Sequence, residues 1–228
     1  MTTALVLQCQ ADAPPGLLEP WARERGIALD VRRVDGGDPL PAPYRYDLAF
    51  ALGSDASLIE QRPPWADPLV DWLRDAEAAA VPVLGICFGA QALALAHGGR
   101  VTRLARPEIG LVDVDSADAD RIPGGPWIAW HEDVVALPPL AYELARNEFG
   151  PQAFCVGHAV AVQFHPEATA EILSRWADAD EGRSLAAIGV ERAALEQRAR
   201  QIESQVSAAA FHLFDRFAGA TVPLANAR

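Results

Sequence analysis

The stretch from Val81 to Gly99 constrains the fold more than any other. VPVLGIC is an apolar run of strand length, and FGAQALALAHGG follows it at once with helical character, ended by Gly98–Gly99. No loop separates the two. A strand turning directly into a helix is the unit from which parallel sheets are assembled. The flanking segments are of the same kind. ALVLQ at 4–8 reads as a strand, a helix is expected from Gly16 to Arg25, and LDVRRV at 29–34 and DLAFAL at 47–52 read as further strands. Between Trp65 and Ala80, residues Leu69, Val70, Leu73, Ala76 and Ala80 recur at helical spacing, with Pro68 near the helix start. Strands apolar on both faces predict an α/β fold, a mainly parallel sheet covered by helices on both sides.

The middle third changes character. VTRL, IGLVDVD, WIAW, VVALP, YELAR and QAFCVG are short and separated by turns, which predicts partly antiparallel additions to the sheet. AVAVQFH at 159–165 is again an apolar strand, and a helix is expected from Ala168 to about Ala179. After a polar break (DADEGR, 178–183), one long helix is expected from Glu191 to Phe217. Its stripe of Leu195, Ile202, Val206, Ala209, Leu213 and Phe217 is expected to pack on the sheet's outer helices, with a homodimer contact as the alternative use. No boundary divides residues 1–228, so a single domain is expected.

A cysteine stands at the strand–helix junction. Gly85 and Gly89 flank Cys87 two residues away on either side, which lets a strained turn lift a nucleophile above a sheet. The orphan amides and dipole of the following helix favour a thiolate there. A thiol needs a base, and Phe164-His165-Pro166-Glu167 offers one at the end of another apolar strand, where parallel sheets carry their active loops. Glu167 is spaced to hold the imidazole and stabilise an imidazolium. Other candidates are weaker. Cys9 and Cys155 lack flanking glycines, His97 fits a helix end, His158 a hairpin turn, and His212 the last helix. No Cys-x-x-Cys or His-x-x-x-His pair occurs, so no metal is expected. Neither GSDAS nor GICFGAQ carries the glycines of a dinucleotide loop, and no cofactor is expected.

Composition sets the surroundings. With 31 acidic against 19 basic residues the net charge is -12, which argues against a nucleic-acid partner. Three widely spaced cysteines cannot all pair, so a reduced, cytoplasmic setting is expected. The first ten residues lack a basic segment, and no run approaches the roughly 18 apolar residues of a membrane span. Neither a signal peptide nor a membrane association is expected.

Two motifs carry a family resemblance. GICFGAQ at 85–91 meets the glycine–x–cysteine–x–glycine–x–glutamine motif of the class I, triad-type glutamine amidotransferases, and His165-Pro166-Glu167 meets their histidine–proline–glutamate motif, in the same order. The chain resembles that family over roughly 45–180, followed by a helical extension over about 185–218. Within the family it is similar to stand-alone members resembling the glutaminase domain of GMP synthase. The resemblance implies a flavodoxin-like three-layer sandwich, with Cys87 as nucleophile, His165 as general base and then acid, and Glu167 as the orienting carboxylate. It further implies that Gln91 and Gly89 bind substrate. The oxyanion hole would take one amide from Phe88 and another from Gly53 or Ser54 in Leu52-Gly53-Ser54-Asp55-Ala56-Ser57. The family's glycine–glycine–proline reads Gly53-Ser54-Asp55 here, which requires Asp55 to face away from the developing charge. Trp130-His131-Glu132-Asp133 resembles a histidine–x–aspartate element that would put His131 and Asp133 at the pocket mouth or a partner face; a capped turn between two short strands is the alternative. The implied reaction is hydrolysis of the side-chain amide of L-glutamine through a cysteine thioester, with ammonia passed to a separate synthetase. A stand-alone γ-glutamyl hydrolase acting on a small γ-glutamyl amide or peptide is the alternative.

Overall fold

The computed structural model describes residues 2–59 and 61–219. Along the chain run β1 (Thr3–Gln8), α1 (Leu18–Arg25), β2 (Ala28–Arg33), β3 (Leu48–Ala51), α2 (Ala66–Ala78), β4 (Val83–Ile86) and α3 (Phe88–Ala96). Then come β5 (Arg100–Val112), β6 (Asp115–Ser116), β7 (Trp127–Ala136), β8 (Tyr142–Asn147), β9 (Gly150–Val156) and β10 (Ala159–Val162). Helices α4 (Ala170–Ala179), α5 (Arg183–Ala187) and α6 (Arg192–Gly219) follow. The main sheet has eight strands in the order β2-β1-β3-β4-β10-β9-β8-β6. Pairing is parallel from β2 to β10 and antiparallel beyond it.

Strand side chains alternate between two apolar layers, as a period of two requires. Ala4, Val6, Leu48, Phe50, Leu84 and Ile86 meet Trp21 of α1 and Leu213, Phe214 and Phe217 of α6. Leu5, Leu7, Ala49, Ala51 and Val83 meet Leu69 and Leu73 of α2 and Leu93 of α3 on the other face. The result is the expected three-layer α/β sandwich. Phe50 sits at the middle of the first layer, its ring centroid 5.8 Å from Trp21, 6.2 Å from Phe214 and 5.6 Å from Phe217. Each such fully buried side chain contributes about 1.5–3 kcal/mol. The long helix meets the expectation in part: Leu195 and Ala199 pack on α4, while Leu213, Phe214 and Phe217 lie on the sheet beside Trp21 of α1. Asp215 fastens it to α1 by accepting Trp21 Nε1 at 2.8 Å and Arg25 Nε and Nη2 at 3.0 and 2.8 Å.

The middle third needs a larger correction. VTRL and most of IGLVDVD lie on one continuous strand, β5, while WIAW and much of VVALP lie on β7. The two pair as an antiparallel ribbon outside the main sheet, with an irregularity between Arg103 and Glu108. The charged run across that irregularity breaks the apolar pattern, so the sequence reads as separate short strands. Only β6, β8 and β9 extend the sheet. The ribbon packs on α3, and Ile128 of β7 pairs with His165 beyond the end of β10. No helix among the described residues is long and apolar enough to cross a membrane.

Candidate active site

The C-terminal ends of β1, β3, β4 and β10 point to one side of the sheet, where open α/β folds collect their ligand-binding loops. Cys87 leaves β4 with φ 51° and ψ -107°, a backbone conformation that residues with side chains rarely adopt. The turn is held in place: Cys87 N donates to the Val162 carbonyl at 2.8 Å, and Gln91 N donates to the Cys87 carbonyl at 3.0 Å. Strain of this kind concentrates at functional sites. The Cys87 thiol faces the Trp130 carbonyl at 3.8 Å.

His165 and Glu167 stand beside it. His165 N donates to the Ile128 carbonyl at 2.8 Å, and its Nδ1 lies 2.8 Å from Glu167 Oε1. The ring packs against Trp176, centroid to centroid 4.6 Å. With Nδ1 engaged by the carboxylate, Nε2 is the nitrogen left for the thiol. Burial by itself lowers the His165 pKa. The charges of Glu167 and Cys87, with their hydrogen bonds, outweigh it and raise the value from 6.5 to about 10. An imidazolium is therefore favoured beside the sulfur.

Two segments next to Cys87 carry backbone amides without an acceptor among the described residues. Phe88 opens α3, where backbone N–H groups have no intrahelical acceptor. In the loop after β3, Leu52 N is taken by the Leu7 carbonyl, Asp55 N by Gln10 Oε1 at 2.5 Å, and Ala56 N by Ser54 Oγ at 3.1 Å. Gly53 N and Ser54 N are left without an acceptor among the described residues. Gly53 must be a glycine for a steric reason: a Cβ there would stand 2.7 Å from His165 Cε1.

A cavity of about 170 Å³ opens beside these groups, with Phe88 and Glu167 outside its lining. That is small beside the roughly 300–1,000 Å³ of pockets for drug-sized ligands and suits a small metabolite. Cys87, His165, Gly53 and Ser54 line it, with Trp130 of the histidine–x–aspartate element and residues the sequence did not single out, among them Gln10, Asp12, Trp176, Asp180 and Arg183. The common feature of these last is position on segments that follow β1 or lie on and beyond α4. No local spacing marks them. Asp55 also lines the cavity rather than facing away from it. Partial desolvation and the nearby charge of Asp12 raise its pKa.

Four further expected site residues do not line the cavity. Gln91 is buried, with Nε2 donating to the Asp133 carbonyl at 3.2 Å and to Gln163 Oε1 at 3.4 Å, and it does not line the cavity. Gly89 is a close-approach glycine: a Cβ would stand 2.0 Å from the Ala51 carbonyl oxygen, so its task is to let α3 lie on β3. His131 and Asp133 are 4% and 6% exposed, in the middle of β7 rather than at a pocket mouth or in a turn. His131 Nε2 lies 2.7 Å from Glu108 Oε2 on the neighbouring ribbon strand. Cys9, Cys87 and Cys155 are all free. Burial pushes the Cys9 thiol pKa up, which keeps that group protonated and inert.

Comparison with known proteins agrees with this geometry. The family model for glutamine amidotransferase class-I matches residues 61–174. One subunit of the glutamine-hydrolysing GMP synthase of Sulfurisphaera tokodaii is 41% identical over 150 residues, covering 62% of this chain and 78% of that protein. The GMP synthase of Thermomicrobium roseum is 38% identical over 122 residues, which are 50% of this chain but 22% of that protein. The chain thus spans about a quarter or less of the longer GMP synthases of Thermomicrobium roseum and Thermus thermophilus. Among solved structures, a glutamine amidotransferase from Thermotoga maritima superposes with a TM-score of 0.85 at 26% identity, covering 95% of this chain and 97% of that one. A glutamine amidotransferase from Methylobacillus flagellatus gives the same score and identity, covering 97% and 96%.

Proposed function

This chain belongs to the class-I glutamine amidotransferases, and from that premise we propose that Cys87, His165 and Glu167 hydrolyse the side-chain amide of L-glutamine. The observation that carries the reading is the imidazole fixed between Glu167 at 2.8 Å and the thiol of a strained strand–helix turn, in a small cavity. The Cys87 sulfur attacks the amide carbonyl, and the oxygen that gains charge rests on the Phe88 amide and on an amide of Gly53 or Ser54. His165 delivers a proton to the departing ammonia, then takes one from the water that attacks the glutamyl thioester. Glutamate leaves and the thiol is restored. Glu167 keeps Nδ1 of the ring protonated and correctly turned. Gln91 and Gly89 serve this site by fixing α3 rather than by touching substrate.

We read the chain as one amidotransferase domain acting in the cytoplasm, where its three thiols stay free. Its ammonia goes to a separate synthetase that aminates an activated acceptor. The similarity to a protein named as one subunit of a GMP synthase supports that arrangement. A cavity of about 170 Å³ favours free glutamine, or a γ-glutamyl amide of similar size, over a γ-glutamyl peptide. Because α6 uses its apolar side inside the chain, the reading needs no second copy. Ammonia release from L-glutamine, run beside a panel of small γ-glutamyl amides, tests it. Release from glutamine that disappears with Cys87→Ala supports the proposal; turnover of a γ-glutamyl amide with glutamine inert would move the substrate to the alternative class.

A further inference from the structure

We propose that Asp133 is a positioning residue of this site, which holds the oxyanion loop in register with the nucleophile helix. The inference rests on the reading of Cys87 as the nucleophile. An oxyanion hole built from two separate segments works only if their amides keep a fixed spacing, since its donors must lie about 2.7–3.1 Å from one oxygen. Here Phe88 opens α3, while Gly53 and Ser54 lie on the loop after β3. Asp133 is where those two segments are tied together.

The ties come from several sides. Asp133 Oδ2 accepts a hydrogen bond from Ser57 Oγ at 3.0 Å, and Ser57 closes the loop that begins at Leu52. The Asp133 main-chain carbonyl accepts Gln91 Nε2 at 3.2 Å, a side chain one turn along α3 from Cys87. One residue therefore receives a donor from each half of the hole. From outside, the half-exposed Arg103 brings Nε to 3.1 Å from Asp133 Oδ1 and balances the charge of a carboxylate that is 7% exposed.

Asp133 is in turn held by a buried anchor. His131 Nδ1 lies 3.0 Å from the same Asp133 carbonyl. A carbonyl only accepts, so Nδ1 is the donor of that bond, and Nε2 lies 2.7 Å from Glu108 Oε2. Glu108 also accepts Asn147 Nδ2 at 2.5 Å and Gln152 Nε2 at 2.8 Å, which join the ribbon to β8 and β9. A buried polar network of this kind rigidifies the elements it joins. The strand fixed here is the one whose Ile128 carbonyl holds His165 N and whose Trp130 carbonyl faces the Cys87 thiol.

The test uses the full chain with Ser57→Ala, Asp133→Ala and the conservative Asp133→Asn, which keeps an acceptor for Ser57. Glutamine hydrolysis gives kcat and KM. Inactivation by 6-diazo-5-oxo-L-norleucine, a glutamine-shaped diazoketone, reads the same carbonyl site without turnover. Alkylation by iodoacetamide forms no oxyanion and reports the thiol and its base alone. Displacements of about 1 Å cost on the order of 10²-fold, so kcat and diazoketone inactivation should fall about 10–100-fold in Ser57→Ala and Asp133→Ala. KM should change by less than about threefold, iodoacetamide should keep its wild-type rate, and Asp133→Asn should recover part of the loss. Wild-type kcat and inactivation in Ser57→Ala would overturn the proposal. A parallel fall in iodoacetamide reactivity and melting temperature would do so too, because that is general loosening. Ser57 is half-buried on a loop, so its variant keeps the test alive if Asp133→Ala does not fold. A wild-type chain that resists the diazoketone and releases no ammonia would instead overturn the parent reading of Cys87.

Discussion

Gly53→Ala measures how tightly the oxyanion loop is fitted against the base. The added methyl would lie 2.7 Å from His165 Cε1, 3.5 Å from Nδ1 and 3.6 Å from Cys87 Cβ. Ordinary contact begins at 3.4 Å, so the imidazole or the loop must give way by about 0.7 Å. The imidazole has little freedom to do so, with Glu167 on Nδ1, Ile128 on its backbone N–H and the Trp176 ring alongside. Gly53 does not occupy the left-handed backbone region, so alanine brings a steric effect without backbone strain. Overpacking of this kind costs about 1–3 kcal/mol, and each kcal/mol lowers Tm by roughly 2–4 °C in a chain of this length. Catalysis should suffer more than stability. A 1 Å misplacement costs on the order of 10²-fold, so this one should lower kcat by about 10–10²-fold. Ammonia release at saturating glutamine and a thermal melt on the same sample give both numbers. Wild-type kcat with an unchanged Tm would refute the claim that Gly53 is fitted to His165.

Cys87→Ala should reduce glutamine hydrolysis to background, a loss of about 10⁴-fold or more, with an unchanged circular dichroism spectrum. Glu167→Gln should cost on the order of 10²-fold in kcat, because the carboxylate orients rather than reacts; a loss as deep as that of Cys87→Ala would contradict this. Gly89→Ala should destabilise the fold more than Gly53→Ala does, since its Cβ meets a backbone oxygen at 2.0 Å and cannot be relieved by a side-chain rotation; urea titration of both variants ranks them. Burial lowers the His165 pKa, yet Glu167 and Cys87 raise it from 6.5 to about 10. The charged pair's contribution to stability is therefore complete below about pH 6.5 and is lost as pH rises through about 10. Melting temperatures of wild type and His165→Asn should converge over that window, and parallel curves would count against the raised pKa.

The parts of the site visible in the sequence are those encoded by local spacing. Cys87 between Gly85 and Gly89 announces a turn, and the turn is there with φ 51°. His165 and Glu167, two residues apart, can meet without help from the rest of the chain, and they do. What the sequence hides is non-local. Glu108 and His131 are 23 residues apart and meet only because β5 and β7 each run unbroken across a charged stretch. Once the ribbon is read as short pieces, His131 and Asp133 look like a turn near a pocket mouth instead of the buried middle of a strand. Gln91 looks like a ligand-binding residue because its motif position follows Cys87 by one helical turn. Tertiary packing turns its amide toward Asp133 and Gln163 instead. Gln10, Trp176 and Arg183 carry no pattern of their own; loop and helix ends bring them to the cavity.

The most direct test of Cys87 as the nucleophile is to find the acyl group. Wild-type protein mixed with L-glutamine, quenched in acid within one turnover and digested, should yield a γ-glutamyl adduct on the peptide containing Cys87, with the Cys9 and Cys155 peptides unmodified. An adduct on another residue, or ammonia released at wild-type rate by Cys87→Ala, would contradict it.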